Sequence, residues 1–267
     1  MLRRHWWTAR RFGLSPGKLV RRLSRSGLPK VLCVSLPKAG THLVERAVCL
    51  HPRLHRRILP TLNPENVGPE GLGGVLRKLR AGQVVLAHLP FEAEYPELLH
   101  RERVKALFVV RDPRDIAVSL AHYIAGRRDH PLHSLYRERP DDRARLQLAV
   151  IGDPDARPPA PALESILSSF AGWLESEALV VRYENLIGER GGGNAGMQSG
   201  TISAIYSYLG LEGSPAFVSE VGARLFSGES PTFRKGLIGQ WRQEFDPELE
   251  GLFDRSAGSW MAVYGYR

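Results

Sequence analysis

The sequence predicts an α/β fold in which a central, mostly parallel sheet lies between layers of helices. Three short apolar runs, at residues 31–36, 84–89 and 104–110, are rich in β-branched side chains, as is typical of strands buried on both faces. Helical periodicity follows the first and third runs, as expected for parallel strands joined by crossover helices. With 267 residues, 43% of them hydrophobic, the chain can form a full core, and we expect one domain after an N-terminal arm.

The loop after the first run is the predicted centre of the fold. Pro37 ends the strand, Gly40 allows the backbone to turn, and a helix is predicted from Thr41 onward. Such a loop directs free N–H groups and the positive end of a helix dipole at one point, where phosphate binds well. Lys38 precedes the glycine, whereas a Walker A motif ends in Gly-Lys-Ser/Thr, so the loop is P-loop-like without that motif. An ordinary turn with a solvated lysine is the structural alternative.

Polar residues also follow the other two predicted strands. His88 ends the second run, and Arg111 follows the third at the carboxyl end, where α/β sheets place their ligands. A helix is predicted to begin at Asp112, and Ser119 lies about two turns into it. This pattern favours a phosphate site. The alternatives are a structural histidine and a salt bridge from Arg111 to Asp112 or Asp115.

The remainder of the chain alternates polar stretches with shorter elements. Residues 126–163 are rich in Pro, Arg and Asp, and we expect a mobile insertion or lid around a short helix at 144–150. Residues 179–186 predict a further strand, and residues 188–200 a glycine-rich surface loop. The other predicted helices are at 75–79, 164–175, 199–209 and 246–264.

Basic residues are concentrated at the N-terminus. Residues 1–30 contain nine Lys or Arg and no acidic residue, and the net charge of the whole chain is +9. Tryptophans among these charges make an arm at residues 1–28 that suits peripheral contact with an anionic membrane surface. An extension packed on the body is an equal alternative, and a transit peptide or an RNA-binding arm ranks lower, so no nucleic acid is expected.

The cysteine content indicates a reducing compartment. Cys33 and Cys49 are expected to be buried free thiols, which predicts an intracellular, cytoplasmic protein with at most peripheral membrane contact. No metal site is expected, because the Cys and His residues lack zinc spacing.

Four stretches, taken in chain order, resemble the sulfotransferases that use 3′-phosphoadenosine 5′-phosphosulfate (PAPS). Pro-Lys-Ala-Gly-Thr at 37–41 resembles the family's 5′-phosphosulfate loop, and Val-Val-Leu-Ala-His-Leu-Pro at 84–90 resembles its strand ending in His-Leu-Pro. Residues 108–119 resemble the 3′-phosphate segment, in which a serine follows an arginine eight residues later. Phe-Arg-Lys-Gly-Leu-Ile-Gly-Gln-Trp at 233–241 resembles the C-terminal Arg-Lys-Gly loop. Together they indicate a cytosolic-type sulfotransferase domain at 29–267.

The resemblance implies a P-loop-like three-layer fold and in-line transfer of a sulfuryl group from PAPS, without a metal, to a hydroxyl acceptor, with an amine as the alternative. His88 would be the catalytic base, and Lys38 would meet the charge on the leaving phosphate. Tyr183 would contact the adenine. The acceptor would be a small molecule, a sugar or a lipid-linked compound. The implied cofactor-binding residues are Lys38, Ala39, Gly40, Thr41, His42, Arg111, Ser119, Tyr183, Arg234, Lys235 and Gly236.

The sequence departs from the family pattern at three positions. Leu86 stands where the family has a lysine two residues before the histidine, and Leu43 stands where it has a tryptophan that stacks on adenine. Gln240 replaces an aspartate in the C-terminal loop. Two other functions remain as alternatives: a P-loop-like kinase that uses ATP, and a non-catalytic module that binds membrane or nucleic acid through the basic arm.

Overall fold

The computed structural model describes residues 27–226 and 235–266. Within them the chain forms one five-stranded sheet whose order is β2-β3-β1-β4-β5 and whose neighbouring strands are all parallel. The strands are β1 (Lys30–Ser35), β2 (His55–Arg56), β3 (Gln83–Ala87), β4 (Val104–Val110) and β5 (Leu179–Arg182). This sheet, flanked by helices, confirms the predicted α/β fold.

Helices connect and cover these strands. The α-helices, in chain order, are α1 (Thr41–Cys49), α2 (Gly71–Arg77), α3 (Tyr95–Glu102), α4 (Pro113–Gly126), α5 (His133–Arg137), α6 (Asp142–Ile151), α7 (Leu163–Phe170), α8 (Tyr183–Leu186), α9 (Ala195–Tyr208), α10 (Pro215–Leu225), α11 (Trp241–Glu244), α12 (Pro247–Ala257) and α13 (Ser259–Val263). Short 3₁₀ turns lie at Ala171–Leu174 and Glu189–Gly191. No helix among the described residues has both the length and the apolar character needed to cross a membrane.

The central strand determines where the polar loops meet. β1 lies between β3 and β4, with Val34 opposite Ala87 and Ser35 opposite Val109. The carboxyl ends of the three strands therefore lie side by side at one edge of the sheet. β1 and β3 each end before the predicted limit, so His88 lies just beyond its strand.

A buried aromatic cluster supports the end of β3. The indole of Trp173 is fully buried and packs against Phe91, Tyr95 and Phe108, with ring centroids 5.5, 5.5 and 6.3 Å away. Its Nε1–H donates to the carbonyl oxygen of Leu89 at 3.0 Å. This bond satisfies the indole N–H and holds the backbone immediately after His88.

The segment at residues 126–163 contains more structure than predicted. It forms two helices, α5 and α6, where one short helix was expected, and α6 buries Leu146 and Val150. Tyr136 on α5 is buried too, and its carbonyl oxygen accepts from Nε of Arg145 at 3.0 Å. The predicted helix at 144–150 is present as α6, and α5 was not predicted because charged residues between its apolar positions obscure the helical period. The role of the segment as a lid stays a prediction.

Other predicted boundaries also need correction. The helix predicted at 199–209 begins at Ala195, because the side chain of Asn194 accepts from the N–H of Met197 at 3.0 Å and caps the first turn. The glycine-rich loop is therefore shorter than expected. The predicted C-terminal helix is two helices that meet at Gly258. Both cysteines are buried free thiols, as predicted. The basic arm lies outside the described residues except for Gly27 and Leu28.

Candidate active site

A cavity of about 400 Å³ lies where the carboxyl ends of β1, β3 and β4 meet. It contains ten of the twelve residues predicted from the sequence: Lys38, Gly40, Thr41, His42, His88, Arg111, Ser119, Tyr183, Lys235 and Gly236. Ala39, which belongs to the same loop as Lys38 and Gly40, is fully buried and does not line the cavity. Arg234 lies outside the described residues. The structure thus brings residues from five separate stretches to one place.

The loop between β1 and α1 has an unusual backbone. The backbone of Lys38 is left-handed, with φ 67°, a conformation that residues other than glycine rarely adopt. Gly40 has φ 110°. The N–H groups of Leu43 and Val44 donate to the carbonyl oxygen of Gly40. The N–H groups before them have no acceptor within the helix, because a helix leaves its first donors unpaired. The loop can therefore present backbone donors to an anion.

The ammonium group of Lys38 lies over an aromatic ring. Its Nζ is 3.7 Å from the ring centroid of Tyr123 on α4, a cation–π contact. Burial, together with smaller effects of the nearby cations Arg111 and Arg127, lowers the pKa of Lys38 to about 8. Lys38 is thus still mainly charged at neutral pH. An anion bound beside it would offset the repulsion from the neighbouring cations.

The hydrogen bonds of His88 define its tautomer. Its Nδ1 lies 3.0 Å from the carbonyl oxygen of Ser35, which can only accept, so Nδ1 carries the proton and Nε2 keeps a lone pair. The Ser35 hydroxyl lies 3.2 Å from the same nitrogen and 2.6 Å from the hydroxyl of Thr41. Burial lowers the pKa of His88, and the bond to Ser35 only partly offsets this. A neutral imidazole with a free Nε2 can act as a general base.

The guanidinium of Arg111 has a buried Nε without a hydrogen-bond partner among the described residues. The guanidinium donates to the carbonyl oxygens of Leu237 at 2.9 Å and Lys38 at 3.4 Å, and it lies 3.6 Å from the carboxylate of Asp115. An orphaned buried donor in a cavity calls for a ligand oxygen. The ion pair with Asp115 is therefore present, as the structural alternative predicted, and it leaves Nε of Arg111 available to a ligand.

Asp115 holds the C-terminal loop against α4. Its fully buried carboxylate accepts from the N–H of Gly239 at 2.8 Å and of Trp241 at 3.0 Å. Charge-assisted bonds of this kind are among the stronger ones in proteins. They hold in place the loop whose residues Lys235 and Gly236 line the cavity.

Tyr183 forms one wall of the cavity. It begins α8 immediately after β5, whereas the sequence predicted a longer strand, because Arg182 is the last strand residue. Its ring lies 4.4 Å from the guanidinium carbon of Arg111 and packs against Gly40. An aromatic side chain at this position can offer a flat surface to a ligand ring. The contact between Tyr183 and the adenine stays a proposal.

The side chain of His42 is oriented by a buried carboxylate. Its Nδ1 donates to Glu45 at 2.9 Å, and Arg56 donates to the other oxygen of the same carboxylate at 3.0 Å. Glu45 is buried at only 1% exposure, and these two donors stabilise its charge there.

Several lining residues were not predicted from the sequence. Tyr123 lies one helical turn after Ser119 on α4, so helical spacing could have identified it. Asn63 and His130 lie in irregular segments, where no periodicity marks them. Arg46 lies on α1 one turn after His42 and also lines the cavity.

The chain is similar to known sulfotransferases in sequence and in fold. Residues 28–212 match the family described as the sulfotransferase domain. The structure of mouse sulfotransferase SULT7A1 complexed with PAP is 19% identical, with a TM-score of 0.63 and 96% of each chain covered. Retinol dehydratase with androsterone and inactive cofactor PAP is 17% identical, with a TM-score of 0.57, covering 91% of this chain and 85% of that one.

A second structure of retinol dehydratase, in complex with retinol and PAP, is 17% identical with a TM-score of 0.57, covering 92% of this chain and 86% of that one. No curated protein sequence matches the chain. At these identities the structural matches establish the fold. The family match spans well over half of the residues of this chain, and the chain therefore belongs to the sulfotransferase domain family.

Proposed function

We propose that this protein transfers a sulfuryl group from PAPS to a hydroxyl acceptor, with His88 as the general base. The observation that carries the proposal is the donation from Nδ1 of His88 to the carbonyl oxygen of Ser35. It leaves a basic Nε2 on an imidazole that lines the same cavity as Lys38 and Arg111.

The described residues fit a donor with two phosphate groups. Around the β1–α1 loop, backbone donors, the hydroxyl of Thr41 and the ammonium group of Lys38 suit a phosphosulfate. A second phosphate would suit the unpartnered Nε of Arg111, the side chain of Lys235 and the hydroxyl of Ser119, which line the same cavity. The PAP-bound structures of SULT7A1 and retinol dehydratase support this choice of donor.

When bound, PAPS supplies an activated sulfuryl group whose transfer leaves negative charge on the 5′-phosphate. His88 takes the proton of the acceptor hydroxyl at Nε2 while the acceptor oxygen forms its bond to sulfur. The electron pair of the broken S–O bond stays on the phosphate oxygen, where Lys38 meets the new charge. Positioning and charge stabilisation carry most of such a transfer, as in phosphoryl transfer.

The acceptor is proposed to be a small molecule with a hydroxyl group, with sugars and lipid-linked compounds as further candidates. Retinol dehydratase has been solved with androsterone and with retinol, which supports the small-molecule class. In this chain Leu120 and Tyr123 supply apolar surface, and Asn63 and His130 supply polar groups. The cavity therefore suits an acceptor that combines a ring or chain with polar substituents.

Incubation of the purified full-length chain with PAPS and a panel of alcohols and phenols tests the proposal. We expect a gain of one sulfuryl group in at least one acceptor by mass spectrometry, together with formation of 3′-phosphoadenosine 5′-phosphate. His88→Asn should reduce turnover by about 100-fold or more while leaving donor affinity unchanged. Full turnover in this variant would contradict the assignment of His88 as the base.

A further inference from the structure

Besides His88 and His42, the cavity is lined by a third imidazole, which the proposed reaction leaves without a role. His130 lies in the loop between α4 and α5 and lines the cavity. Its ring meets that of Tyr123 edge-on, with centroids 5.9 Å apart. The same Tyr123 ring carries Nζ of Lys38 at 3.7 Å. His130 and the cation assigned to the leaving phosphate therefore contact the same aromatic ring.

The hydrogen bonds of His130 define a tautomer opposite to that of His88. The backbone N–H of Leu132 donates to Nδ1 of His130 at 3.2 Å, so Nδ1 bears a lone pair and the ring proton is on Nε2. Burial lowers the pKa of His130, with smaller effects of Arg127, His133 and Lys38 in the same direction and of Asp129 in the opposite one. The ring is thus neutral near pH 7, with Nε2–H as its remaining donor.

The backbone around His130 is held in place. The N–H of His130 donates to the carbonyl oxygen of Arg127 at 2.9 Å, and its own carbonyl oxygen accepts from His133 at 2.9 Å. The side chain of Arg127 bonds both carboxylate oxygens of Asp129, at 2.7 and 3.0 Å. A donor fixed in this way loses little conformational entropy when a ligand binds.

Of the three imidazoles that line the cavity, His88 and His42 therefore keep an acceptor nitrogen, and His130 offers a donor. A hydroxyl oxygen has one proton and two lone pairs. One lone pair forms the bond to sulfur, the proton passes to Nε2 of His88, and the second lone pair can accept from Nε2–H of His130. An amine nitrogen has one lone pair, which the bond to sulfur consumes. An ammonium ion has none, and it would also meet the cations Lys38 and Arg111.

Resting on the proposed sulfotransferase function, we propose that His130 is a specificity-determining residue. Its Nε2–H donates to the acceptor oxygen and selects hydroxyl acceptors over amines of the same shape. An amine in that position would leave a half-buried N–H donor without a partner, which costs more than the hydrogen bond itself contributes.

Kinetics with a matched pair of acceptors, 4-nitrophenol and 4-nitroaniline, test the selection. In His130→Phe, which keeps a ring against Tyr123 but lacks the donor, kcat/KM for the phenol should fall roughly 3- to 10-fold, and kcat/KM for the aniline should change less than two-fold. His130→Gln keeps an N–H donor and should recover part of the loss. Equal losses for both acceptors would overturn the proposal, because they would indicate a purely structural role.

A second measurement does not need turnover. Nitrogen-15 NMR of the full-length chain with 3′-phosphoadenosine 5′-phosphate, assigned by difference with His130→Phe and His88→Asn, should show Nε2–H for His130 and Nδ1–H for His88. An Nδ1–H or charged His130 at pH 7 overturns the proposal even if neither acceptor reacts. Failure of the nucleotide to bind would instead contradict the proposed function, so the two failures can be told apart.

Discussion

The ring of Tyr183 packs so closely on Gly40 that no other residue fits there. A Cβ added to Gly40 would lie 2.5 Å from Cδ2 of Tyr183, and Gly40 also has φ 110°. The β1–α1 loop and Tyr183, the residue proposed to contact the adenine, therefore pack directly against each other, although Gly40 and Tyr183 are 143 positions apart in the sequence.

Gly40→Ala should weaken donor binding as well as stability. We expect a loss of roughly 1–3 kcal/mol from the left-handed backbone and the ring contact together, and at least ten-fold weaker nucleotide affinity. Thermal unfolding and calorimetric titration measure the two effects. Gly68→Ala is the matched control, since Gly68 has φ 83° and nothing within 4 Å of the added Cβ. Equal effects of the two substitutions would refute the contact.

The pH profile should be bell-shaped because of two perturbed groups. His88 must be neutral, and its lowered pKa places the acidic limb of kcat/KM for the donor below the usual histidine range near 6.5. Lys38 must be charged, so the rate should fall as pH rises through about 8. In Lys38→Arg the basic limb should move above pH 10, because a guanidinium keeps its charge. An unchanged basic limb in this variant would remove Lys38 from the profile.

Asp115→Asn should release the C-terminal loop without unfolding the core. The amide can accept only one of the two N–H groups of Gly239 and Trp241, and it brings a donor against the other. We expect roughly ten-fold weaker nucleotide binding and faster hydrogen exchange in residues 235–241. Asp155→Asn, an exposed position, serves as the control. Wild-type affinity in Asp115→Asn would show that this loop does not contribute to the site.

The basic arm at residues 1–28 should mediate binding to anionic lipid. Pelleting with phosphatidylserine-containing vesicles is expected for the full-length chain and is expected to be lost when residues 1–26 are removed, because the basic residues of the arm have no acidic neighbours. Elevated salt should weaken this binding. Equal pelleting of both proteins would remove the basis for a membrane role.

The sequence predicted those features that depend on residues adjacent in the chain. Strand, loop and helix at the Lys38 loop follow from one apolar run, one proline and one glycine, and Arg111 follows directly from a buried strand. The roles of Tyr123 and His130 could not be predicted, because they depend on how α4 and the following loop pack across the β1–α1 loop. The tautomer of His88 depends on a backbone partner, Ser35, that is distant along the chain. The tautomer of His130 depends on Leu132, which lies in a loop without periodicity.

A calorimetric titration of the full-length protein with 3′-phosphoadenosine 5′-phosphate and with ADP tests the proposed donor site most directly. We expect at least ten-fold tighter binding of the first, because Arg111, Ser119 and Lys235 surround the place proposed for the 3′-phosphate. Equal affinity for the two nucleotides would contradict the assignment of the donor site.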